Sequence, residues 1–213
     1  MSEHYAGIAF TDLVQDVQER YGSRSFYGTR AARSLAADAG PDALGPDERA
    51  YLAERDGFFL ASVGETGWPY VQHRGGPPGF VHVLDDHTIG WADFKGNLQY
   101  VSVGNLAHDS RVSLIVMDYA HQQRLKIFGH ARVAYAEDEP DLVARLTHPD
   151  YDAVVERGIV VTVDAFDWNC RQHITPRFSA AELEPALAGL RERLATAEAE
   201  VVELRQQLGV AVG

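Results

Sequence analysis

Between residues 57 and 93 the chain runs through four short β-prone segments, GFFLASVG (57–64), PYVQHR (69–74), GFVHVLD (79–85) and HTIGWAD (87–93). Little more than turn chemistry separates them, such as Glu65-Thr66-Gly67 and Asp85-Asp86. Parallel neighbours would need long crossovers, so segments this close must pair antiparallel. Three further runs follow: the almost wholly apolar RVSLIVMDY from residue 111, the alternating RLKIFGHARVAYA (124–136) and GIVVTVDAFDWN (158–169). The first of these reads as a central strand and the second as a long one. Six or more short strands with only brief helices predict a mainly β chain, a barrel with α insertions, ahead of a layered parallel α/β fold.

The helices are expected around this core. Phe10, Leu13, Val14 and Val17 stand at helical spacing within residues 10–21, with Thr11 or Asp12 to cap and Gly22 to stop. A short helix is expected near residues 30–38, in an Ala-, Gly- and Asp-rich linking arm. PDERAYLAERD (46–56) carries proline near its start and acids in its first turn, both helix-start features. Further helices are expected over residues 97–107 and 138–147.

With 213 residues, 46% of them hydrophobic, the chain suits one domain with extensions. The expected division is an N-terminal helical arm (1–45), a barrel domain (46–178) and a C-terminal helix (179–213). No run of eighteen uncharged apolar residues occurs, so no membrane partner is expected. One cysteine, Cys170, suits a reducing compartment, and a cytoplasmic location is expected. A net charge of −12 argues against a nucleic-acid partner, which would demand a basic face. Nine histidines show no ligand-spaced pair on one element, so no metal is expected. No Gly-x-Gly-x-x-Gly follows a strand and no nucleophile elbow is present. Among 19 basic residues only two are lysines, Lys95 and Lys126, both in the strand-rich middle.

One strand ends in Gln72-His73-Arg74 and meets Gly75-Gly76-Pro77-Pro78-Gly79, more turn chemistry than a reversal needs. Beside Gly75 and Gly76 a backbone could approach a ligand and its N–H groups could form an anion-holding concavity. A rigid loop with Arg74 as an ordinary surface cation would leave the same trace. Arg124 and Lys126, two apart, share one strand face and are unfavourable there unless an anion or carboxylate lies opposite.

Taken together, QHRGGPPGF, the Asp93-Phe94-Lys95-Gly96-Asn97 block and the late Trp168-Asn169-Cys170-Arg171-Gln172-His173-Ile174 block resemble the pyridoxamine 5′-phosphate oxidase-like family of FMN-binding split barrels, over roughly residues 48–178. The resemblance implies a six-stranded antiparallel split barrel, a homodimer, and one FMN in each of two clefts at the subunit interface. It implies cofactor contacts from Gln72, His73, Arg74 and Gly75, from the strand passing the flavin at Trp91, Ala92 and Asp93, and from the phosphate-side loop at Lys95, Gly96 and Asn97. Arg124 and Lys126 would meet the flavin edge or phosphate. Trp168, Gln172 and His173 would reach the partner subunit's flavin. The stretch RQHITPRFS has no equivalent of the Arg-x-His-Asp-Arg ending that grips substrate phosphate in true pyridoxamine phosphate oxidases, so vitamin B6 oxidation is not implied. Cys170 has no legible base, and no catalytic side chain is assigned. The resulting expectation is an FMN-dependent oxidoreductase acting on a small molecule. The alternatives are a non-catalytic flavin carrier or redox sensor, and a reductase using the deazaflavin F420.

The last stretch sets Leu183, Leu187, Leu190, Leu194, Ala197, Val201, Leu204 and Leu208 at steps of four and three, a heptad seam. A parallel dimer is expected, in which Arg193 faces Glu198 and Glu200 faces Arg205 of the second helix. A helix laid on its own barrel would show a wider stripe. Ser179 and Glu182 read as a capping box, but Pro185 would then fall inside, so the regular helix is expected to begin nearer Glu184.

Overall fold

Phe58, Leu60 and Ser62 point inward from β1 (Gly57–Val63) while their neighbours point out. The computed structural model describes residues 2–28, 40–168 and 171–209. The other strands are β2 (Pro69–Gly75), β3 (His82–Val83), β4 (Thr88–Phe94), β5 (Arg111–Asp118), β6 (Gln123–Tyr135) and β7 (Val155–Trp168). They form one seven-stranded antiparallel sheet in the order β2-β1-β5-β6-β7-β4-β3, the mainly β split-barrel architecture with one strand more than the six expected. The apolar run at β5 does lie centrally, and it alternates: Val112, Leu114 and Val116 are buried between less covered neighbours. With Leu125 and Ile127 of β6 and Val161 and Val163 of β7 they fill the core. Burying each such side chain contributes about 1.5–3 kcal/mol. At the aromatic centre Phe58 meets Trp91 edge-on at 4.8 Å and stacks on Phe80 at 5.8 Å.

Two glycines show where the close packing leaves no alternative. A Cβ on Gly129 would lie 2.4 Å from the Thr162 carbonyl oxygen, at the register shift between β6 and β7. A Cβ on Gly76 would lie 2.7 Å from the Phe80 ring. The second contact corrects an expectation. The Gly76 N–H donates to the Asp56 carbonyl at 3.0 Å and that of Gly79 to the Arg55 carbonyl at 3.2 Å, so neither amide is free to hold an anion. The glycine-proline block instead turns the chain back, with Gly79 at φ +85°, and buries Phe80 in the core. The same turn shortens the strand expected over 79–85 to His82–Val83.

The helices include α1 (Glu3–Ala9), α2 (Asp12–Arg20), α3 (Pro46–Ala53), α4 (Val101–His108), α5 (Pro140–Leu146) and α6 (Ala180–Gln207). The short α1 is additional to expectation. Its Tyr5 and Ala6 are buried, and Tyr5 stacks on Phe128 of β6 at 5.0 Å. The apolar stripe read on residues 10–21 is helical, but α2 buries none of it. α4 starts later than expected because Leu98 and Tyr100 adopt left-handed backbone, at φ 63° and 51°. The helix expected at 30–38 lies outside the described residues, as do Asn169 and Cys170. α6 begins at Ala180, with the Ser179–Glu182 capping box formed and Pro185 inside the helix, earlier than expected.

The chain divides into two compact units. The first holds the sheet and helices α1 to α5, up to Asp118 and over Gln122–His173. The second comprises Tyr119–His121 and the chain from Ile174 onward, with α6. Among the described residues no helix is long and apolar enough to cross a membrane.

Candidate functional site

β2 and β4 hold the first and sixth places in the strand order and share no ladder. Yet Arg74 Nη1 lies 2.7 Å from Asp93 Oδ1, tying the two strands across the split. A cleft of about 200 Å³ opens there. β2 lines it with Tyr70, Gln72 and Arg74, since alternate residues of a strand share a face. β4 contributes Asp93 and Phe94, β7 contributes Glu156, and residues 96–103 close it with the left-handed loop and the first turn of α4.

Asp93 is 5% exposed, accepts from Arg74 on one oxygen and has Arg157 Nε 3.5 Å from the other, an ion pair without a hydrogen bond. Burial pushes its carboxyl above the usual carboxylate range, against the pull of both guanidinium groups. Arg157 also pairs with Glu156 at 2.6 Å and lies 5.0 Å over the Tyr100 ring, whose hydroxyl donates to Glu156 at 3.1 Å. Two cations and two carboxylates thus nearly balance. Two donors in the cleft are nonetheless unmet. The Ser102 hydroxyl and Arg74 Nε are buried without a hydrogen-bond partner. The first-turn N–H groups of any helix lack intrahelical acceptors, and Tyr100 supplies no side-chain cap for α4. Such an arrangement suits a small anion with several oxygens.

Of the expected cofactor residues, the structure brings Gln72, Arg74, Asp93, Gly96 and Asn97 together in this cleft. The strand pleat turns His73 to the opposite face, edge-on to Phe59 at 5.4 Å, and a Cβ on Gly75 would press on the His73 ring. Trp91 is core, 1% exposed, with its indole N–H unpartnered, and Ala92 is buried. Lys95 is exposed and lies outside the cleft lining; its backbone N–H donates to Val154 at 2.8 Å.

A second group lies apart. Arg124 and Lys126 point away from the core that Leu125 and Ile127 enter. Lys126 Nζ is 3.8 Å from Asp167, its ladder partner, and 5.0 Å from the Tyr5 ring, while Arg124 Nε is buried without a partner. The carboxylate demanded by two neighbouring cations is therefore present. Trp168 donates its indole N–H to Glu48 at 2.6 Å and meets Tyr51 edge-on, joining α3 to β7. Gln172 and His173 are exposed beyond β7, with His173 at φ 63°.

Tyr70, Ser102, Glu156 and Arg157 went unnoticed in the sequence. The two-residue period from Arg74 through Gln72 would have found Tyr70 and set His73 aside. Arg157 enters because it pairs with Asp93 in the β4–β7 ladder, across more than sixty residues of chain, for which no local signal exists.

No curated protein matches this chain. Solved structures that it resembles include HupZ of Group A Streptococcus, 10% identical, with 63% of this chain and 98% of that one covered and a TM-score of 0.48. An F420 reductase is 20% identical over 58% of this chain and 98% of that one, TM-score 0.41. An FMN-binding protein of Syntrophomonas wolfei is 13% identical over 57% and 83%, TM-score 0.42. The model of the pyridoxamine 5′-phosphate oxidase family matches residues 44–168, from the turn before α3 to the last residue of β7. The chain belongs to that family.

Proposed function

We propose that this protein binds FMN and works as an FMN-dependent oxidoreductase on a small molecule, as a homodimer whose flavins lie between the subunits. One observation carries the reading: unmet donors converge on a single cleft, the Ser102 hydroxyl, Arg74 Nε and the uncapped start of α4. A buried donor without an acceptor is unfavourable by about 1–3 kcal/mol, and a terminal phosphate offers three acceptor oxygens. The residues present therefore fit the phosphate end of FMN. Family membership supports the same assignment.

Asp93 holds Arg74 in position across the split. An arriving phosphate competes for that guanidinium and adds negative charge, so Asp93, already raised by burial, takes up a proton more readily. A cleft of about 200 Å³ falls short of the roughly 300–1,000 Å³ of a whole ligand site, so it suits the phosphate end and not the ring. The second group, Arg124, Lys126, Trp168, Gln172 and His173, would serve the flavin whose phosphate the other subunit holds. Lys126 and Arg124 would place positive charge where the reduced ring gathers negative charge. The flavin itself supplies hydride transfer at N5.

The test is mass spectrometry of the ligand released from native protein, followed by FMN titration of wild type and Ser102→Ala. Bound FMN, with weaker binding by the variant, is expected. Protein that stays colourless when soaked with FMN would sink the reading. A released deazaflavin would replace the cofactor, and FMN that no donor or metabolite reduces would make the protein a carrier.

A further inference from the structure

Unit two contains one long helix and no other among the described residues, so the apolar seam of α6 has nothing within its own unit to pack on. Leu183, Leu187, Leu190, Leu194, Val201, Leu204 and Leu208 are 38 to 76% exposed. We propose that this seam is covered by α6 of a second copy of the chain, running antiparallel. The inference is independent of the flavin reading.

Two edges of patterned charge flank the seam. Along one edge Glu184, Arg191, Glu198 and Arg205 alternate in sign every seven residues. Arg191 already reaches Glu184 at 2.6 Å along that edge. Along the other edge stand Ala186, Arg193, Glu200 and Gln207.

In an antiparallel pair like edges meet, and setting Leu187 level with Leu204 of the second copy aligns both. Glu184 then faces Arg205, Arg191 faces Glu198 and Arg193 faces Glu200, each contact made twice by the two-fold axis, with no like charges opposed. A parallel pair makes only two such contacts twice over, Arg193 with Glu198 and Glu200 with Arg205, and leaves Arg191 facing Ala186. The core agrees. Parallel strands would set Ala197 on Ala197, a thin layer, whereas antiparallel strands set Ala197 on Leu194 and keep every layer filled. Opposed helix dipoles add to the preference.

Cysteine crosslinking in the full chain, with Cys170→Ser, reads the arrangement directly. Leu187→Cys and Leu204→Cys are expressed singly and together from differently tagged copies, then oxidised mildly. Antiparallel pairing brings positions 187 and 204 level but holds each about 25 Å from its own counterpart, at 1.5 Å per residue, far beyond disulfide reach. Disulfide dimers are expected only on co-expression and only between the two tags. Arg191→Glu should lower their yield severalfold, and adding Glu198→Arg should restore it. Self-crosslinking of either single variant, or no crosslink on co-expression, would overturn the proposal.

Discussion

Two strands of the barrel each carry a cation against a buried carboxylate, and the two pairs differ in what surrounds them. Lys126 and Asp167 are ladder partners on adjacent strands, 3.8 Å apart, and the Tyr5 ring covers the lysine. Arg74 and Asp93 belong to strands that share no ladder, meet at 2.7 Å, and stand beside a buried hydroxyl with no partner and an uncapped helix start. A charge on a strand face says little by itself. Arg124 Nε is also unmet on the face that carries Lys126, so what sets the Arg74 cleft apart is the orphaned hydroxyl beside an uncapped helix start.

The largest effect expected from this contrast is at Arg74. Arg74→Ala leaves Asp93 buried with one cation fewer and should lower stability by about 3 kcal/mol in urea unfolding. It should also weaken FMN binding by roughly 10- to 100-fold, the worth of a charge-assisted hydrogen bond to phosphate. Unchanged affinity would remove Arg74 from the site.

Ser102→Ala should weaken FMN binding by about 3- to 10-fold while leaving stability unchanged or slightly higher, because the lost hydroxyl was unpartnered. A stability loss without an affinity change would make Ser102 a packing residue.

Lys126→Met removes the cation 3.8 Å from the buried Asp167 carboxylate and should lower stability by about 1–2 kcal/mol, less than Arg74→Ala because the pair is longer and its lysine more exposed, with affinity changed roughly twofold at most. Its effect should appear as a shifted reduction potential of the bound flavin. A large affinity loss would merge the two regions into one site.

The smallest effect is on pH dependence. Burial holds the Asp93 carboxyl above its ordinary value of 3.8, so the native state keeps that proton more tightly than the unfolded chain does. Its stabilising contribution is full below 3.8 and declines as pH rises through the raised native value. Subtracting the pH–stability curve of Asp93→Asn from that of wild type should isolate this decline. A difference that rises with pH instead would show Asp93 to be held low by its arginines.

The strand runs were legible because alternation and turn chemistry are local. All seven appear, although Pro77, Pro78 and Gly79 cut one to His82–Val83. α1 was not legible: its seven residues hold by Tyr5 packing on Phe128, more than a hundred residues away. Gln72 and Arg74 could be read from their block, but which neighbours share their face depends on the pleat. Ser102 and Arg157 came into view only when the ends of the sheet met.

Residue order therefore settles the strands, their antiparallel pairing, the amphipathic seam of α6 and the family to which the chain belongs, because each rests on spacing along a few consecutive residues. The union of β2 with β4 across a split that carries no ladder, the committed amide of Gly76 and the orphaned hydroxyl of Ser102 arise from folding in three dimensions. Hydrogen-bond satisfaction is a property of the whole packed chain, and no short window of residues contains it.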